Sequence, residues 1–120
     1  MTEKFLLDTS IVVRYFVDGD LYLEKLLKQG NKLLITTPVI IETIYVLNKI
    51  YKIEREIIYE KIMSLVVKPG IVLEDSENIV ALNRYRAHSA LSFIDCWLFT
   101  YAKNAEISLI TYDKKLKKSK

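Results

Sequence analysis

Cysteine and histidine are nearly missing from this chain, which has one of each, Cys96 and His88, in 120 residues. A single thiol excludes an internal disulfide framework and fits a reducing compartment. A single imidazole cannot supply the acid–base pair of a metal-free ribonuclease. One Cys and one His also fall short of a zinc site. Glycine is scarce: the three residues form no glycine-rich loop, which argues against a Walker-type or dinucleotide-binding fingerprint. Long apolar runs are missing too. The stretches around 39–47 and 90–102 are interrupted by Glu42 and Asp95, short of the ~18 clean residues of a spanning helix. Asp8 breaks the only N-terminal apolar run, so no signal peptide is read and a cytoplasmic location is expected.

What remains is one domain's worth of chain, 1–120, able to bury a single core. The apolar share of 51% counts eight Tyr and leaves out three Gly, so on the usual definition it is ordinary. Charge is unevenly placed. The net charge is +3, yet "DKKLKKSK" at 113–120 holds five Lys and one Asp, a balance of +4, which leaves −1 for everything before it. The body is therefore no broad basic platform. The tail reads as a solvated terminus or as a segment that meets phosphates.

Short strand-like runs alternate with helical ones. "FLLD" (5–8), "KLLIT" (32–36), "IVLE" (71–74) and "SLIT" (108–111) read as strands. Helices are expected from about Thr9 to Phe16, from Leu21 to Gly30 and, with Thr37 as cap and Pro38 as first residue, to about Tyr51. Others are expected over 54–67, from a Ser76 cap to Ala87 and from a Ser92 cap to Asn104, with one last turn in the lysine-rich end. The pattern predicts an α/β fold, a three-layer α/β/α sandwich with a parallel sheet of four or five strands.

Four acids stand in apolar surroundings, where an unpaired charge is costly. Asp8 ends the first strand and doubles as a helix cap. Glu42, in "TPVIIETIYVL", lies past the capping-box position of a helix that is nearly apolar all round. Asp95 has the S-x-x-D spacing of a capping box with Ser92, and Asp113 caps a last turn or sits in a loop. Each has an innocent local account. Taken as a set, they fall at strand ends or in the opening turns of helices, on the edge where open α/β sheets bind ligands. Clustered carboxylates need a cation or must hold protons, and oxygen-only donors select a hard ion such as Mg²⁺ or Mn²⁺.

With "LLDTS", the Glu of "TPVIIET", "LSFIDCWLFTYA" and "LITYDKKL" in this order, the chain resembles the PIN-domain ribonucleases, and within them the small VapC-like toxins of toxin–antitoxin pairs. The resemblance implies a PIN-like fold and an endoribonuclease that hydrolyses RNA phosphodiester bonds. It implies that Asp8, Glu42, Asp95 and Asp113 form the acidic pocket, with Asp8 and Asp95 closest to Mg²⁺ or Mn²⁺ and Glu42 and Asp113 completing the shell directly or through water. Ser10 and Thr111 stand where hydroxyls support the carboxylates or a metal-bound water. A homodimer and a cognate antitoxin are the partners it implies, with the apolar helices 38–51 and 54–67 as surfaces for them. The chain departs from relatives in having Tyr112 where many have Phe, and in the short lysine run after Asp113, which leaves a fifth strand open.

Other readings remain. A PIN-fold RNA-processing nuclease without an antitoxin, or a PIN-like module that binds without cutting, would keep the same acids. A phosphoacceptor receiver would need an acidic pair after the first strand and a Lys after a late one, and neither is present. His88 is read as a helix-end residue and Cys96 as a small buried hydrophobe. Trp97, Phe99 and Tyr101 are read as core or interface, and Arg84 and Arg86 as a solvated face or a contact to RNA or a partner.

Overall fold

The computed structural model of the chain describes residues 3–117, in two compact units, Met1–Asp75 and Ser76–Lys120. In the first unit, three short apolar runs form strands β1 (Lys4–Leu6), β2 (Lys32–Ile35) and β3 (Ile71–Leu73). They pair in parallel in the order β1-β2-β3, with Leu6 level with Leu34 and Ile35 level with Leu73. The central strand is the buried one, its Leu33 and Ile35 fully inaccessible, while Leu6 on β1 is 67% exposed.

Parallel neighbours need a long crossover. Helices α1 (Thr9–Val17) and α2 (Tyr22–Lys28) supply it between β1 and β2, and α3 (Thr37–Tyr45) and α4 (Arg55–Val66) between β2 and β3. Helix α3 runs straight into a π-helical turn, Val46–Ile50, whose Leu47 is fully buried. Val12, Leu23, Ile44, Ile58, Ile62 and Leu65 complete this core. Two tight turns bring the chain back to the sheet. Buried Asn31 accepts from the Glu3 N–H (3.1 Å) and donates to the Leu26 carbonyl (3.0 Å), tying the end of α2 to the start of β1. Gly70, at φ +95°, lets the chain turn into β3 while its carbonyl accepts from the Leu33 N–H (2.8 Å). Near α1 the Tyr15 hydroxyl donates to Glu24 (3.2 Å), and partial burial is the main cause that raises the Tyr15 pKa.

In the second unit, α5 (Glu77–Ala87) packs on α6 (Phe93–Asn104). Ala81, Leu82, Tyr85, Phe93, Cys96 and Thr100 are buried, and the Tyr85 and Phe93 rings meet edge to face at 6.1 Å. Asn104 at the end of α6 donates to Glu77 at the start of α5 (3.0 Å), so the two helices run in opposite directions. A short last helix, α7 (Lys114–Lys117), places Leu116 in the interior.

The fold class is α/β, a parallel three-stranded sheet flanked by helices. Three expectations change. Among the described residues the sheet has three strands instead of four or five, because "SLIT" joins no ladder and its Ile110 is 90% exposed. The cap of α3 is Thr36, extended at φ −88° and ψ 162°, and not Thr37, because Thr36 still follows the line of β2. Ser76 precedes α5 with helical dihedrals and makes no side-chain cap, which needs an extended backbone. The lysine-rich end forms the expected last turn as α7, and of the solvated-terminus reading of 113–120 the part on residues 118–120 lies outside the described residues. No helix among the described residues is long and apolar enough to cross a membrane.

Candidate functional site

The ladder of β1 extends one residue beyond the strand, through the Leu7 N–H to the Leu34 carbonyl (3.0 Å), and the next residue is Asp8. The strand therefore delivers Asp8 to the carboxyl edge of the sheet, where α1 begins. Asp8 is the N-cap of α1: its Oδ2 accepts from the Ser10 N–H (3.1 Å) and from the Ser10 hydroxyl (2.6 Å). The Ser10 hydroxyl, then the Ser10 N–H, hold the Asp8 carboxyl below its ordinary value, as expected for a carboxylate that accepts several donors. Asp8 is thus an exposed, firmly ionised and oriented carboxylate.

Glu42 lies on the exposed stripe of α3 and its π turn, Pro38, Glu42, Tyr45 and Lys49, opposite the buried Ile40, Thr43, Ile44 and Leu47. Although α3 is apolar in sequence, its helical period leaves one face in solvent, and Glu42 is on it. A third acid of this unit was missed at the sequence level. Glu74 follows β3 directly, its N–H donating to the Ile35 carbonyl (3.0 Å) and its Oε1 accepting from the Thr37 N–H at the start of α3 (3.2 Å). The signal was available, since "IVLE" ends in an acid as "FLLD" does.

In the second unit the capping box over Ser92 and Asp95 is complete. The Ser92 hydroxyl accepts from the Asp95 N–H (3.1 Å) and Asp95 Oδ2 accepts from the Ser92 N–H (3.2 Å). Asp113 Oδ1 accepts from the Lys115 N–H (2.9 Å) and the Leu116 N–H (3.4 Å) at the start of α7, and the Thr111 hydroxyl accepts from the Asp113 N–H (3.0 Å). Ser10 thus grips a carboxylate directly, whereas Thr111 holds the backbone of one.

Asp8, Glu42 and Asp113 are exposed and Asp95 is half-buried, so none is the deeply buried charge that apolar neighbours suggested. The four fall two to a unit, and no group of three or more acids, Cys or His stands in metal-binding array among the described residues. The donor chemistry nevertheless suits a hard cation. In each of the three aspartates the capping bonds use one oxygen and leave the second uncommitted by them. A cap and a metal ligand are therefore compatible roles for one carboxylate, whose two oxygens offer about four acceptor sites.

The remaining candidates fall into place. His88 ends α5 and Cys96 is fully buried in α6. Arg84 lies 4.4 Å over the Phe99 ring, a cation–π contact within its own unit and not a solvated face. Trp97 stacks on Tyr101 at 5.2 Å.

No curated protein matches this chain. The family model of the PIN domain matches residues 5–120, which takes in the acids of both units. PIN domains are in general nucleases, hydrolases that bind RNA and typically use divalent metal ions. On that match over nearly its whole length, the chain belongs to the PIN-domain family.

Proposed function

We propose that this chain is a Mg²⁺- or Mn²⁺-dependent endoribonuclease, with Asp8, Glu42, Asp95 and Asp113 as its metal-holding acids, and that it acts as the toxin of a toxin–antitoxin pair in the cytoplasm. The observation that carries the nuclease reading is the PIN-domain match across 5–120. Local geometry supports the choice of residues. Asp8 leaves β1 at the carboxyl edge of the sheet as an oriented anion, and Asp95 and Asp113 each keep one carboxylate oxygen outside their capping bonds. A bound divalent ion would supply Lewis acidity toward a phosphodiester oxygen and toward water. The chain's own part is to hold it: Ser10 fixes the Asp8 carboxylate, Ser92 fixes that of Asp95, and Thr111 fixes the backbone of Asp113.

Cleavage of RNA by the purified chain is expected with Mg²⁺ or Mn²⁺, and its loss with EDTA and with Asp95→Asn. Cleavage unaffected by both treatments overturns the metal mechanism. A second reading, a PIN-like module that binds RNA or protein without cutting, keeps the same acids in their capping roles. Binding with no cleavage under either metal would favour it. For the toxin role, induced expression is expected to arrest growth and Asp8→Asn to relieve the arrest. A small neighbouring gene encoding a DNA-binding fold with a tail would favour an antitoxin over a stand-alone RNA-processing nuclease. A homodimer is part of the same proposal, and the exposed Tyr45, Ile50, Tyr51 and Ile57 of the first unit offer an apolar surface for it.

A further inference from the structure

Helix α3 has little of its own to hold its first turn. Six of its first eight residues, Thr37, Val39, Ile40, Ile41, Thr43 and Ile44, are β-branched, a class that loses rotamer freedom in a helix. Pro38 brings no N–H, the Thr36 cap makes no side-chain bond, and the Ile40 N–H turns back to the Thr36 carbonyl (3.1 Å). The Thr37 N–H is instead taken from the end of β3, by Glu74 Oε1 at 3.2 Å. Register explains the reach. Ile35 pairs with Leu73, so Glu74 stands level with Thr36, and its own N–H carries the ladder on to the Ile35 carbonyl (3.0 Å). One residue thus ties the end of β2 through its backbone and the start of α3 through its carboxylate. All of these residues belong to the first unit.

A bond at this place bears on more than helix stability. Side chains on a helix lean toward its N-terminus, and Glu42 shares the exposed stripe of α3 with Pro38. The turn that Thr37 opens is therefore the one Glu42 leans over. Asp8, two residues past the Leu6–Leu34 pair, is level with Thr36 on the other side. The start of α3 lies between Asp8 and Glu74 on the carboxyl edge, so a shift of that start moves Glu42 relative to Asp8. Resting on the nuclease reading for the role of Glu42, we propose that Glu74 is a positioning residue: by holding the Thr37 N–H it fixes the entry of α3, and with it the place from which Glu42 acts. It does so as a hydrogen-bond acceptor of the right length, and touches neither metal nor substrate.

Hydrogen exchange of the metal-free full chain, read amide by amide by NMR, tests the tie directly. Glu74→Ala is expected to speed exchange at Thr37 at least about fivefold, as loss of one hydrogen bond allows. The Leu33 N–H, bonded to the Gly70 carbonyl inside the sheet, should not change. Glu74→Gln keeps an acceptor at the same reach and is expected to stay within about twofold of wild type. Glu74→Asp keeps the charge but falls a methylene short, and is expected to behave as Glu74→Ala does. In RNA cleavage under Mg²⁺ or Mn²⁺, kcat should fall about 10–100-fold in the Ala and Asp variants, the range for losing an outer partner of a site residue, and return in Glu74→Gln. The double variant Glu42→Gln/Glu74→Ala is expected to be no slower than Glu42→Gln alone, because a residue that acts through Glu42 then has nothing to act on. Unchanged exchange in Glu74→Ala, a loss in Glu74→Gln equal to that in Glu74→Ala, or additive losses in the double variant overturns the proposal. Faster exchange with undiminished cleavage in Glu74→Ala sinks the positioning role and leaves the nuclease standing. A wild type that cuts under neither metal sinks the nuclease reading, and exchange alone then decides whether Glu74 sets α3.

Discussion

At the scale of single residues, Asp8 joins two roles that differ in what they require. A helix cap needs an acceptor oxygen, which Asn supplies as well as Asp, whereas a divalent ion needs the negative charge. Asp8→Asn is therefore expected to keep the circular dichroism spectrum and lose cleavage. The loss should exceed the ~10–100-fold typical of removing an outer partner of a metal ligand. Equal loss of helix content and activity would reduce Asp8 to a cap. The lowered Asp8 pKa, due first to the Ser10 hydroxyl, gives a pH signature. Its folded value lies below the unfolded one, so its stabilising contribution is complete above the unfolded value and is lost as pH falls through the folded one. Ser10→Ala should move the Asp8 carboxyl titration, followed by carbon-detected NMR, upward toward the usual aspartate range. An unmoved titration would remove Ser10 from the site.

At the scale of elements, the local sequence code worked where a single motif settles a terminus and failed where a partner decides it. The Ser92–Asp95 box formed as its spacing required. Ser92→Ala should cost about 1 kcal/mol and lower the melting temperature by a few degrees, while the box acid keeps an acceptor in Asp95→Asn. The cap of α3 was not legible, because the acceptor at its first N–H is Glu74, 37 residues away. Gly70 carries a long-range constraint as well. Its positive φ disfavours any side chain, and a Cβ there would meet the Leu27 methyl at 2.9 Å and the Asn31 carbonyl at 3.0 Å. Gly70→Ala should destabilise the first unit by about 1–3 kcal/mol, measured by urea denaturation. A neutral result would mean that the turn into β3 relaxes freely.

At the scale of the whole molecule, the proposed homodimer has a direct measure. Light scattering is expected to give twice the chain's 14.0 kDa, and Ile50→Lys with Tyr45→Glu to return a monomer without loss of helix. Both side chains are more than half exposed, so their replacement removes no core contact. A monomer at every concentration in the wild type would end the dimer proposal. Most closed homo-oligomers are two-fold, so intermediate masses are not expected.

The sequence by itself determined the alternation of strand and helix, the family, and the local accounts of Asp8, Asp95 and Asp113, because apolar period and capping spacings are short-range properties of the chain. Only the tertiary structure decided that Glu42 faces solvent, that Arg84 packs over Phe99 and that Glu74 serves α3. The physical reason is the same in each case. Which face of a helix is open, which acid reaches a distant N–H and which strand finds an edge depend on residues far apart in the chain, and propensity carries no information about those encounters.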